Sequence, residues 1–92
     1  MELKWAKKAL ADLVRLHKYL APVNPQAAAR IVQALATAPT RLTQQPRLGE
    51  KVTEFEPREV RRLLVGDYEM RYEVQRDRTV VLRLWHAREH RR

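Results

Sequence analysis

Cysteine is absent from this chain, so neither a disulfide nor a thiolate metal site is open to it, and its composition suits a reducing compartment. Glycine occurs only at Gly49 and Gly66, too rarely for a loop-dominated or low-complexity polypeptide. Every apolar run is far too short for a membrane-spanning helix. The opening Met1-Glu2-Leu3-Lys4-Trp5 has neither the apolar centre nor the small-residue cleavage site of a secretory signal. The expectation is a cytoplasmic protein with no membrane partner. Negative charge is also scarce: 11 Asp and Glu stand against 19 Lys and Arg, a formal charge of +8 over 92 residues.

What is present is a globular mixture, 45% apolar, long enough for a single domain over residues 1–92 with one modest core. The cationic excess attracts polyanions: nucleic acid, a ribosome or an acidic protein. From Arg58 to Arg92 every cation is arginine, whose planar fork grips phosphate or carboxylate through two hydrogen bonds.

Hydrophobic periodicity divides the chain. Alternating Met1, Leu3 and Trp5 predict a short strand, at the edge or in the middle of a sheet. Ala6, Ala9, Leu10, Leu13, Leu16, His17 and Leu20 then recur at helical spacing, with Lys7, Lys8, Asp12, Arg15 and Lys18 on the opposite side. Ala21-Pro22 ends this helix, and Asn24-Pro25 starts another: the amide side chain caps free backbone donors, and proline fits the first helical position. Its buried stripe is Ala27, Ala28, Ile31, Leu35 and Ala38. Pro39 ends or kinks it, and a further turn follows at Thr40–Gln44 with Leu42 inward.

After Gly49 the period becomes two. Strands are expected at Lys51–Phe55, Glu59–Val65, Tyr68–Gln75 and Thr79–Trp85, with turns at Gly66-Asp67 and Arg76–Arg78. In the last strand, regular alternation puts Val80, Leu82 and Leu84 on one face and Val81, Arg83 and Trp85 on the other. Tyr68 and Tyr72 face inward, Trp5 and Trp85 are core or interface aromatics, and the polar tail 87–92 is expected to fray. The fold class is α+β: an N-terminal strand, then an antiparallel helical hairpin packed on a three- or four-stranded antiparallel sheet.

Several ordered residues carry a family resemblance. Trp5-Ala6, Ala9, Asp12-Leu13 and Tyr19-Leu20 are followed by Asn24-Pro25 with Ala27-Ala28, then Leu42, Pro46 and Gly49. Arg61 to Val65, Tyr68, Tyr72-Glu73-Val74 and Leu82-Arg83-Leu84-Trp85-His86 with Arg88 complete the set. Over nearly the whole chain this resembles the RelE/ParE toxins of type II toxin–antitoxin systems. The resemblance implies plasmid stabilisation or growth inhibition, and a cognate antitoxin, acidic and partly disordered when free, in a toxin–antitoxin hetero-oligomer. RelE-like members cleave mRNA in the ribosome, whereas ParE-like members are associated with DNA gyrase.

The residues divide these activities. Metal-independent RNA cleavage needs a proton acceptor, cations at the phosphate and a proton donor. His86 is the candidate acid or base, and Arg71, Arg83 and Arg88 are the candidate phosphate clamps. Against that endoribonuclease reading, Ala87 follows His86 where many nucleases have arginine, and no tyrosine follows Tyr72. Glu69 stands where they carry a cation beside the central tyrosine, and Leu64 or Val65 where they carry another. Arg83 and His86 also point to opposite faces of a straight strand, so pairing them requires a bulge or strand end between them. ParE-like inhibition of a target such as gyrase is favoured over ribosome-dependent cleavage, and a non-toxic nucleic-acid-binding module comes third. The target-binding candidates are Arg61, Arg62, Arg71, Arg83, Trp85, His86 and Arg88. No metal or cofactor is expected: Glu54 and Glu56 share a strand face without a supporting histidine, His17 is structural, and His86 with His90 is a poor metal pair. Charge reversal at Arg83 or Arg88 is expected to reduce toxicity and spare the fold.

Overall fold

A computed structural model describes residues 1–89. Strand β1 (Glu2–Trp5) leads into helix α1 (Lys7–Leu20), and helix α2 (Pro25–Thr37) returns antiparallel to it. Asn24 caps α2, its side-chain oxygen accepting the Ala27 amide at 3.0 Å, a contact worth about 1 kcal/mol. Pro39 ends the α-helical hydrogen bonding as expected, and the chain continues as a 3-10 helix over Ala38–Thr43 that buries Leu42. Then come β2 (Glu50–Lys51), a 3-10 turn (Thr53–Phe55), β3 (Val60–Val65), β4 (Tyr68–Val74) and β5 (Arg78–His86).

The five strands form one sheet in the order β1-β5-β4-β3-β2. It is mixed rather than purely antiparallel, because β1 lies parallel to β5 at its outer edge. The α1–α2 hairpin carries the chain from β1 at one edge to β2 at the other, and β3 and β4 lead back to β5 beside β1, a pairing that local periodicity does not reveal. The expected strand at Lys51–Phe55 is cut to two residues, and Glu54 sits in the 3-10 turn that follows. Its presumed strand face shared with Glu56 therefore does not exist.

One sheet face carries the core. Leu16, Leu35 and Leu42 from the helical layer pack on Leu63, Tyr68, Met70, Tyr72, Val81 and Leu84. The Tyr72 hydroxyl, buried within this layer, accepts the Gly49 amide at 2.8 Å. A side chain at Gly49 would place its Cβ 2.3 Å from the Arg62 carbonyl oxygen, so close passage of the chain there requires glycine. Gly66 has a φ of 58° in the β3–β4 turn, the other position suited to glycine.

Two departures from regular periodicity shape everything else. Leu82 has no partner on β4: Tyr72 pairs with Val81 and Arg71 with Arg83, so Leu82 is the extra residue of a β-bulge. Beyond it the side chains change sides. Val81 joins Leu84 in the core, and Val80 shares the outer face with Arg83 and Trp85, contrary to strict alternation. In α1, Asp12 is buried and Leu10 about half exposed, the reverse of their expected faces, and His17 is exposed.

Candidate functional site

The outer sheet face, away from the core, carries a row of like charges. Arg62 on β3 pairs with Arg71 on β4, which pairs with Arg83 on β5. Like charges directly opposite one another destabilise a sheet. Here each has its own carboxylate: Arg62 with Glu50 at 3.2 Å, Arg71 with Glu69 at 3.1 Å and Arg83 with Asp12 at 2.8 Å. The arginines are thereby fixed in orientation rather than left to spread apart.

Aromatic rings fix them further. The Arg71 guanidinium lies 5.6 Å from the Phe55 ring centre and 5.1 Å from that of Trp85, between two rings from different elements. Arg83 lies 6.0 Å from the Trp85 ring and Arg58 6.0 Å from Phe55. These are cation–π contacts, and they compete with a nucleobase for the same ring surface.

The Asp12 network ties this row to α1. Beyond Val81, β5 has no neighbouring strand on its β1 side, because the chain has left β1 for α1. Side chains of α1 fill the gap: an Asp12 oxygen accepts the Leu84 amide at 2.8 Å, and Arg15 donates to the Leu84 carbonyl at 3.1 Å. Asp12 also accepts from Arg83 and Arg15. Burial alone would raise the Asp12 carboxyl, but the hydrogen bonds from Arg83 and the Leu84 amide, the Arg83 charge and the Arg15 contact outweigh it and hold its pKa below the ordinary value. The same hydrogen bond with Asp12 raises Arg83 further.

Arg71 and Arg83 of this row, but not Arg62, line an open groove of about 800 Å³. Lys7, Lys8 and Arg15 of α1 wall one side, Phe55 and Arg58 the other, and Leu82 lies between. Lys7 and Lys8 are exposed at the positive end of the helix dipole, where acidic residues are normally favoured. Glu89, in the turn after β5, is the groove's carboxylate: it is ion-paired to Arg15 and accepts the His86 amide at 2.9 Å.

The expected site residues therefore separate. Arg62, Arg71, Arg83 and Trp85 come together on the outer face. Arg61 is on the core side, bonded to Glu59 and to the Gly49 carbonyl, and has a structural role. His86 is also on the core side: it pairs across the sheet with Tyr68, edge-on to that ring at 5.0 Å. The bulge lies before Arg83, not between Arg83 and His86, so these two remain on opposite faces. Arg88 is exposed in the terminal turn and does not line the groove; its amide donates to His86 Nδ1 at 3.1 Å. Of the tail expected to fray, residues 87–89 form a turn in which the Ala87 amide donates to the Asp67 carbonyl and the Glu89 amide to that of His86, and residues 90–92 lie outside the described residues. His90 lies outside the described residues, and no cluster of metal-ligating side chains occurs among those described.

Sequence reasoning missed Lys7, Lys8, Asp12, Arg15, Phe55, Arg58 and Glu89. Asp12 had only a positional signal, its helical spacing from Ala9 and Leu16; that this stripe is buried is a finding of the structure. The others are brought to the groove only by tertiary folding.

A family model described as the ParE toxin of the type II toxin–antitoxin system parDE matches residues 3–91. The chain belongs to the ParE toxin family. Among solved structures, this ParE-family chain is similar to one titled the chromosomal ParDE TA system from P. aeruginosa, at 26% identity and a TM-score of 0.79, covering 94% of this chain and 95% of that one. It also shares its fold with the RelB-RelE antitoxin-toxin complex from Methanococcus jannaschii, at 19% identity and a TM-score of 0.59, covering 94% and 92%. No curated protein matches it. The chain is thus the toxin of a type II toxin–antitoxin system, built on the α+β architecture that ParE and RelE share.

Proposed function

We propose that this toxin acts by binding a protein target such as DNA gyrase through its arginine-row face, without phosphodiester chemistry of its own. One observation carries this reading: His86, the candidate acid or base, lies on the sheet face opposite Arg71 and Arg83. A substrate phosphate on the arginines would have the whole sheet between it and the imidazole. Among the described residues lining the groove there is no histidine or tyrosine, and its one carboxylate is Glu89. The target-binding residues are Arg62, Arg71, Arg83 and Trp85, joined by Lys7 and Lys8.

In this reading a cognate antitoxin neutralises the toxin in a cytoplasmic hetero-oligomer. An acidic antitoxin complements the +8 charge. Leu10 and Val14, one helical turn apart and 49% and 54% exposed on α1, suit the apolar stripe of an amphipathic segment.

The deciding experiment places the purified toxin in two reactions. It is expected to stall supercoiling by purified gyrase and to leave a defined mRNA uncut in a translation extract. Codon-positioned cleavage lost in His86→Ala would instead make it a ribosome-dependent nuclease. Salt-sensitive duplex binding with harmless expression would leave a nucleic-acid-binding module.

A further inference from the structure

The groove contains its own anion. Glu89 reaches into it from the terminal turn and pairs with Arg15, the residue that also braces Asp12 and the Leu84 carbonyl. Lys7 and Lys8, on the same helix as Arg15 and also lining the groove, have no ion-pair partner among the described residues. Resting on the reading of this face as the target-binding surface, we propose that the groove takes an acidic peptide segment of the toxin's protein target, not of the antitoxin, and that Glu89 is an internal competitor whose place on Arg15 an incoming carboxylate takes.

Three observations favour an acidic peptide over nucleic acid. Guanidinium groups already lie 5.1–6.0 Å from the Phe55 and Trp85 ring centres, and Trp85 is buried, so little ring surface is left for a base to stack on. Arg58 and Arg83 already hold Glu73 and Asp12, which shows that the forks on this surface accept carboxylates in fixed pairwise geometry. The groove floor at Val60 and Leu82 is apolar and suits the aliphatic stems or small apolar side chains of a peptide between its acidic groups. The exchange is balanced in charge: one carboxylate leaves Arg15 as another arrives, and the remaining acidic groups meet Lys7 and Lys8. Displaced Glu89 returns to water at the surface, where it is already exposed. Its departure costs only an exposed ion pair and one hydrogen bond to the His86 amide.

The test is fluorescence anisotropy with the full chain, using a fluorescein-labelled hexaglutamate peptide and, separately, a labelled oligothymidylate, at low salt. Glu89→Gln keeps the side-chain oxygen that accepts the His86 amide and removes only the charge on Arg15. It is expected to tighten peptide binding by about two- to fivefold, the scale of an exposed ion pair. Glu2→Gln makes the same change in net charge at β1, far along the chain from the terminal turn, and is expected to leave affinity nearly unchanged. Lys7→Glu with Lys8→Glu is expected to abolish peptide binding, with circular dichroism confirming the fold. Equal effects of Glu89→Gln and Glu2→Gln would overturn the proposal, as would peptide binding indifferent to the lysines. Oligothymidylate that binds more tightly than the peptide and displaces it would make the groove a nucleic-acid site and overturn it too. Because the assay contains no gyrase, peptide results against the proposal alongside stalled supercoiling would remove this inference alone. Peptide binding as expected without gyrase inhibition would remove only the proposed target.

Discussion

Asp12 shows how much one residue can organise. A single carboxylate satisfies the Leu84 amide, orients Arg83 on the outer face and receives Arg15, so it joins a helix to an unpartnered strand edge. Replacing it with alanine leaves that amide unmet and Arg83 without a counter-charge. Asp12→Ala is expected to cost about 2–3 kcal/mol in urea titration, less than a fully buried pair because Arg83 and Arg15 keep much of their surface in water. Arg83→Glu carries a related penalty: it would set a second carboxylate against Asp12, so it is expected to lower the unfolding midpoint as well as toxicity, whereas Arg88→Glu should leave stability unchanged. The pH dependence has a definite sign. Asp12 titrates lower in the folded chain than in the unfolded one, so its stabilisation is complete above the ordinary value of 3.8 and is lost as pH falls through the folded value. Glu73, held down by its hydrogen bond from Arg58, adds loss in the same direction. Thermal melts between pH 6 and pH 3 should show falling stability, with a shallower fall in Asp12→Asn. The charge and helical position of Asp12 were readable in the sequence. Its burial was not, because the Leu84 amide that compensates that burial is contributed by β5.

At the level of elements, the sequence was most legible where one local signal dominates. Asn24-Pro25 started α2 and Pro39 ended its α-helical bonding, because capping and the missing proline amide act within one turn. β5 was less legible, since the bulge at Leu82 is set by pairing with β4 and leaves no mark in β5 alone. Deleting Leu82 would restore a regular ladder with every other pair retained. The deletion is expected to keep the sheet, by circular dichroism, but to straighten β5 and draw the Leu84 amide away from Asp12. Combined with Asp12→Ala, it should cost less than the sum of the two separate changes in urea titration. The first turn of α1 makes a complementary test. Lys7 and Lys8 oppose the helix dipole, so Lys7→Glu and Lys8→Glu should each raise stability by about 0.3–1 kcal/mol while weakening binding of the proposed acidic peptide. A gain in melting temperature with a loss of affinity would identify residues kept for function at a cost to the fold.

Over the whole molecule, charge governs encounter and topology governs the site. If the partner is acidic as proposed, a toxin of +8 should associate with it more slowly as salt rises, with a much smaller change in dissociation. Stopped-flow measurements across a salt series should show this, and a salt-independent association rate would point to an apolar docking surface such as Leu10 and Val14. The sequence by itself determined the α+β class, the helical hairpin, the basic surface and the resemblance to the RelE/ParE toxins, because periodicity, capping and composition act over a few neighbouring residues. The tertiary structure alone decided that β1 lies parallel to β5, that Arg62, Arg71 and Arg83 form one row, and that His86 stands on the other side of the sheet. These features depend on which strands meet and in what register, and register is settled by burying one whole face at once.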